Sequence, residues 1–139
     1  GLAQLERIDD FVKARKDNFN YLTEKLQTLK EFLILPESTE HSSPSWFGFP
    51  ITLKESTDTN RKTLMEYLDQ NKIGTRLLFA GNVTRQPYFE SEHYRIAGNL
   101  DSTDTIMNNT FWIGVYPGLD QDMLDYVVEQ LELYFGVGF

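Results

Sequence analysis

Cysteine is absent from the 139 residues of this chain. That excludes disulfides, a cysteine nucleophile, thiolate zinc sites and cysteine-ligated iron–sulfur clusters within it. Histidine is scarce: His41 and His93 stand far apart in polar stretches, neither with a Ser or Cys partner at a recognisable motif, and both read as surface residues. No apolar run is long enough to span a bilayer and no signal-peptide pattern is present, so a cytosolic protein is expected. Positive charge is in deficit, with 13 Lys and Arg against 21 Asp and Glu and a net charge of −8. Nonspecific binding to nucleic acid or to an anionic membrane is therefore not expected, although net charge says nothing about one basic pocket for a phosphate. A nucleophile elbow, a Walker loop and a dinucleotide fingerprint are all missing.

What is present suits one globular domain: 40% hydrophobic and 14% aromatic residues are enough for a core. Leu5, Ile8, Phe11, Val12, Phe19, Leu22, Leu26, Leu29 and Phe32 keep helical spacing. This predicts one long amphipathic helix, or two joined by a slight kink, over residues 1–35 and ending before Pro36. Residues 36–139 are expected to form a small α/β domain. Strands are expected in "WFGFPITL" (46–53), "TRLLF" (75–79) and "TFWIGVYP" (110–117), with Pro50 at an edge or bulge because it lacks an amide donor. Helices are expected in "DTNRKTLMEYLDQN", capped by Asp58 or Thr59, in "STDTIMNN", and in "DQDMLDYVVEQLELYFG", with Asp120 near its cap and Gly136 at its end. The fold class is therefore α/β or α+β, a small sheet of about three strands packed against helices.

The chain begins with Gly1 rather than Met, and its helical pattern runs from Leu2 with no capping residue. This reads as a cut at or inside a longer helix, and so as a fragment of a larger protein. The acidic groups Glu6, Asp9 and Asp10 and Asp120, Asp122 and Asp125 read as solvated helix faces rather than metal sites. The two Gly-Asn pairs, Gly81-Asn82 and Gly98-Asn99, read as turns. Arg76 and Arg85 are the candidate ligand-binding residues, because a guanidinium makes paired hydrogen bonds to phosphate or carboxylate. For Arg85 the residues alone leave a ligand role and a surface salt bridge both open.

Three stretches together are more specific: "GLAQLERIDDFVKARKDNFNYL", "IGTRLLFAGNVTRQPYF" and "TDTIMNNTFWIGVYPGLDQDMLDYVVEQL". They resemble the C-terminal third of the DegT/DnrJ/EryC1/StrS family, sugar-modifying enzymes of fold type I that depend on pyridoxal phosphate. The form "GN-x-TRQP", where aminotransferases of the family usually carry Tyr-Pro and a His, resembles the branch of CDP-4-keto-6-deoxyglucose 3-dehydratases of lipopolysaccharide O-antigen synthesis. The resemblance implies the small C-terminal domain of a parent enzyme that removes a sugar C3 hydroxyl with pyridoxamine or pyridoxal 5'-phosphate. Cofactor, cofactor base and any [2Fe-2S] cluster would belong to the missing large domain, so no catalytic, cofactor or metal residue is expected here. The implied partners are that large domain, a CDP-sugar, a flavin/iron–sulfur reductase and a second copy in a homodimer, in a bacterial cytoplasm.

By the same resemblance, Arg76 and Arg85 face a cleft and at least one of them holds a phosphate of the CDP-sugar. Asn82 and Gln86 offer hydrogen bonds to sugar or nucleotide, and Phe49 walls the sugar pocket. The alternatives are the small domain of a sugar-nucleotide aminotransferase, separated by lysine in place of histidine at the cofactor, and a stand-alone binding or dimerisation module. The uncapped first helix weighs against the latter. Exposed aromatics on a cut surface are expected to favour self-association.

Overall fold

A computed structural model describes residues 2–137. The chain opens with a short helix α1 (Leu2–Leu5), turns at Glu6 and Arg7, and continues as α2 (Ile8–Lys25) and a 3₁₀ turn (Leu26–Leu29). Strand β1 (Leu33–Ile34) follows, then β2 (Gly48–Leu53), α3 (Arg61–Gln70), β3 (Thr75–Leu77), α4 (Asp101–Asn109), β4 (Thr110–Gly114) and α5 (Gln121–Phe135). Two further 3₁₀ turns, Val83–Arg85 and Pro87–Phe89, lie between β3 and α4. The four strands form one antiparallel sheet in the order β1-β2-β4-β3.

One face of the sheet carries the core. Phe49, Ile51 and Leu53 of β2 and Phe111 and Ile113 of β4 alternate with period two and are buried. Against them pack Phe19 and Leu22 of α2, Leu26 and Leu29 of the 3₁₀ turn, Leu64 and Leu68 of α3, and Leu124, Val128 and Leu131 of α5. Burying each such side chain contributes roughly 1.5–3 kcal/mol. Polar ties join the helices. Tyr21 of α2 donates to Asp125 of α5, and Tyr67 of α3 donates to Gln130 of α5 at 3.0 Å. Asn18 of α2 is buried and donates to the carbonyl oxygen of Tyr116 at 3.1 Å, fixing the chain just past β4. Among the described residues no helix is long and apolar enough to cross a membrane.

The expected fold class holds, with a fourth strand added. The first helical region ends at Leu29 instead of running to Pro36, and Leu33 and Ile34 pair with Leu53 and Thr52. Phe32 to Leu35 is apolar at four consecutive positions, a pattern that fits an extended segment as well as a helix. Pro50 lies in an inner strand, but β1 reaches only Thr52 and Leu53, so β2 beside Pro50 has no neighbour on that flank. The expected strands shorten at their ends. β3 stops at Leu77 because Phe79 adopts a left-handed conformation (φ 50°). The cap of α3 is Asn60, whose Oδ1 accepts from the Thr63 amide at 3.0 Å, not Asp58 or Thr59. The expected cap of α4 is absent, since Leu100 precedes it. Asp120 caps α5 through the Met123 amide (2.9 Å), and Gly136 ends it with φ 68°, both as expected.

Candidate functional site

The register of the sheet places Pro50, Trp112 and Arg76 side by side on the face turned away from the core. The alternation that buries Phe111 and Ile113 puts the Trp112 indole on that face, with its Nε1–H donating to the Leu77 carbonyl at 3.0 Å. Gly48 makes room for it, because a Cβ there would lie 1.8 Å from Trp112 Cε3. Phe47 packs against the indole with centroids 4.6 Å apart, and Phe79 approaches it at 6.4 Å. Both phenylalanines are displayed to solvent, Phe47 at 71% and Phe79 at 81% exposure. Together with Trp46, Gly48, Pro50 and Leu78 they form an apolar groove of about 360 Å³. Arg15 of α2 pins the near bank by donating to the carbonyl oxygens of Trp46 (3.1 Å) and Phe47 (3.3 Å).

Arg76 lines an adjoining recess with Phe47, Gly74, Trp112 and Gly114. Its Nη1 donates to its neighbour's carbonyl, Thr75 O, at 2.9 Å. Among the described residues no carboxylate pairs with it. A guanidinium beside exposed aromatic rings, without an acid, is open to an anionic ligand.

The second half of the site is the loop after β3. Gly81 takes φ 66°, and an added Cβ would meet Met107 at 2.6 Å from Cγ and 2.9 Å from Cα. The glycine thus lets the loop lie directly on α4. Asn82 is buried and works as a cap: its Oδ1 accepts from the amide (3.1 Å) and hydroxyl (2.8 Å) of Thr84. Its Nδ2 donates to Asp104 Oδ1 at 2.6 Å. Arg85 meets the same carboxylate, Nη2 to Oδ2 at 2.8 Å and Nε to Oδ1 at 3.4 Å. Hydrogen bonds from Arg85, then Asn82, hold the Asp104 carboxyl below the usual carboxylate range, and the bond to Asp104 raises Arg85. Gln86 closes the loop by donating to Ala80 O at 2.7 Å. Gln86, Gly81 and Met107 line a further recess of about 230 Å³, which shares Leu78 and Phe79 with the aromatic groove.

The structure thus gathers Asn82, Arg85 and Gln86 in one loop and sets Arg76 on the open sheet face beside the aromatic groove. Asn82, though, is buried with both ends of its amide engaged by Asp104 and Thr84, so it does not offer the expected hydrogen bonds to a ligand. The structure places Phe49 elsewhere. That ring is fully buried against Phe19 (centroids 4.9 Å) on the core face, so it lines no surface cleft; the exposed aromatic in the same stretch is Phe47. Sequence reasoning missed Trp112, Phe79 and Asp104 as members of the site. A readable signal existed for Trp112, an aromatic at the outward position of a half-buried strand. His41 and His93 are exposed, as expected, and belong to neither recess.

None of the chain's own lysines fits a Schiff base with pyridoxal phosphate. A Schiff-base lysine needs a desolvated setting, and none of the seven lysines is buried. Lys13 and Lys62 pair with acids one helical turn away, while Lys16 and Lys54 bond to Ser43 Oγ and Lys30 O.

Comparison with known proteins places this arrangement. The chain is 62% identical over its whole length to the lipopolysaccharide biosynthesis protein RfbH of Salmonella typhimurium, of which it spans 32%. It is 48% identical over 130 residues to dTDP-4-dehydro-2,6-dideoxy-D-glucose 3-dehydratase of Saccharopolyspora spinosa, covering 94% of this chain and 28% of that one. Among solved structures, the E. coli GDP-4-keto-6-deoxy-D-mannose-3-dehydratase with bound hydrated PLP superposes with a TM-score of 0.84 at 26% identity, over 94% of this chain and 33% of that one. The chain therefore spans about a third of the length of the relatives it matches. Residues 1–132 match the model of the DegT/DnrJ/EryC1/StrS aminotransferase family, and with that match the chain belongs to this family.

Proposed function

We propose that this chain is the C-terminal small domain of a sugar-nucleotide 3-dehydratase, covering one side of a substrate pocket whose cofactor is held by the rest of the parent enzyme. The observation that carries the proposal is the open sheet face, where solvent-exposed aromatic rings stand beside the guanidinium of Arg76, which pairs with no acid among the described residues. Pyridoxamine or pyridoxal phosphate, when bound by the parent, supplies the electron sink for loss of the sugar C3 hydroxyl. This chain's part is to exclude water with Phe47, Phe79 and Trp112 and to bind the nucleotide's phosphates through Arg76 and Arg85. Asn82 shapes the loop that carries Arg85, and Gln86 faces the adjoining recess.

The high identity to a lipopolysaccharide biosynthesis protein supports a role in that synthesis; CDP-4-keto-6-deoxyglucose as the substrate, in dideoxysugar and O-antigen synthesis in the bacterial cytoplasm, rests on the resemblance of the "GN-x-TRQP" stretch alone. A homodimeric parent, a [2Fe-2S] cluster and a flavin/iron–sulfur reductase belong to the same proposal. Having no cysteine, this chain supplies no thiolate to such a cluster. The second reading is an aminotransferase of the same family, favoured by the family's own description.

Borohydride reduction of the intact parent followed by mass spectrometry separates the two. A dehydratase gives no pyridoxyl-lysine, whereas a labelled lysine makes the protein an aminotransferase. In the intact enzyme, Arg85→Ala is expected to weaken nucleotide-sugar binding by about ten- to a hundredfold, the scale of hydrogen bonds to charged groups. Unchanged affinity removes Arg85 from the site.

A further inference from the structure

We infer that Asp104 is a positioning residue for Arg85: it takes one edge of the guanidinium and so presents the other edge to a diphosphate. This rests on the substrate-binding role proposed for Arg85. The ion pair by itself does not account for the geometry around it, since an exposed pair contributes little, and the Arg85 side chain is 63% exposed. The surroundings argue for more. Asp104 stands in the first turn of α4 and reaches across to a loop 19–22 residues earlier in the chain.

Each carboxylate oxygen has a distinct task. Oδ2 accepts from Arg85 Nη2 at 2.8 Å. Oδ1 accepts from Asn82 Nδ2 at 2.6 Å and more weakly from Arg85 Nε at 3.4 Å. Asn82 is itself fixed, buried and bonded to Thr84. The carboxylate therefore cannot turn away from Arg85 without breaking its part-buried bond to Asn82. The guanidinium is planar and its N–H groups point outward along two edges. Asp104 occupies the Nε–Nη2 edge. Among the described residues nothing bonds to the Nη1 hydrogens or the second Nη2 hydrogen; these are coplanar, and that edge matches two oxygens of a phosphate. Holding the side chain in this orientation before the ligand arrives removes part of the rotamer entropy that binding otherwise costs.

Positioning and competition predict opposite signs. A carboxylate near a bound anion repels it, so removing the charge raises anion affinity if Asp104 merely competes with the ligand for Arg85. If Asp104 positions Arg85, removing it lowers affinity despite the lost repulsion. The test uses the intact parent protein with inorganic pyrophosphate as the probe, titrated by calorimetry into wild type, Arg85→Ala, Asp104→Asn and the double variant. The expected result is a loss of about fivefold or more in Asp104→Asn, with no additional loss when it is combined with Arg85→Ala. Tighter binding in Asp104→Asn makes Asp104 a competitor and overturns the inference. Weak binding in Arg85→Ala with unchanged binding in Asp104→Asn also overturns it, while leaving Arg85 in its proposed role. Unchanged binding in Arg85→Ala removes both.

Asp104→Glu guards against a variant that merely unfolds. It keeps the charge and both oxygens, and is expected to bind pyrophosphate within about threefold of wild type. If both variants lose affinity and melting temperature equally, the role of Asp104 is structural and the inference fails.

Discussion

Phe79 is the residue at which conformation and exposure conflict most. It has φ 50° without being glycine, and its ring is 81% exposed. A left-handed residue with a Cβ costs on the order of 1–2 kcal/mol, and an exposed ring recovers little of that by burial. Such strain concentrates at functional sites. Phe79→Gly is therefore expected to leave the chain as stable or to stabilise it by up to about 1 kcal/mol in a denaturant melt, while the intact enzyme loses substrate turnover. A destabilised Phe79→Gly would mean the ring supports the fold rather than the groove. Asp104 provides a second residue-scale expectation. Its folded-state pKa is depressed, so its contribution is complete above the ordinary carboxylate value near 4 and is lost as pH falls through the lower folded value. An NMR titration of the Asn82 side-chain amide should therefore show a step below about pH 4. A resonance that stays flat to the point of acid unfolding would place Asp104 outside that network.

At the scale of elements, local chemistry was legible where one residue type had one physical use. Asp120 and Gly136 mark the ends of α5 because a carboxylate accepts the orphan amides of a first turn and glycine alone takes the left-handed closing position without strain. The two inner strands were legible from aromatic and β-branched residues with period two. β1 was not, because its two residues are strand only through pairing with Leu53 and Thr52, a long-range partner that no local pattern announces. The site was legible in part for the same reason. The arginines stand out by type, but which aromatics reach solvent depends on the bend at Phe47, which leaves Phe47 outward while Phe49 lies inward. Asp104 lies 19 residues from Arg85 and becomes its partner only when Gly81 lets the loop settle on α4. Two glycines then give a comparison. Gly136→Ala has open space for the new methyl and is expected to cost about 1 kcal/mol of conformational strain. Gly81→Ala has a similar φ and also meets Met107 at backbone distance, adding roughly 1–3 kcal/mol. Equal melting shifts in the two variants would show that the 81–86 loop does not depend on close contact with α4.

At the scale of the whole molecule, two apolar surfaces among the described residues have no covering element. Leu2, Leu5 and Ile8 are exposed along α1 and the start of α2, and Phe47 and Phe79 are exposed over Trp112 on the open sheet face. A monomeric domain rarely shows contiguous apolar patches of that kind unless something docks there, and the chain spans about a third of the relatives it matches. On the proposed reading, the remainder of the parent enzyme covers them. Taken alone, the 139-residue chain is then expected to self-associate through these surfaces. Its net charge of −8 opposes the association. Salt screens that repulsion over about 8–10 Å near physiological strength but leaves apolar burial intact, so association should strengthen as salt is raised. An attraction built on ion pairs would weaken instead, which makes the salt trend as informative as the mass. Light scattering on the isolated chain should therefore show a mass above the monomer that rises with both protein and salt concentration. Replacing Phe47 and Phe79 together by Ser should lower it, because the groove then keeps only Trp112 as its apolar floor. A chain that stays monomeric at high concentration and high salt would mean that the exposed rings do not form a docking surface, and the proposal that this face meets the rest of an enzyme would lose its main physical support.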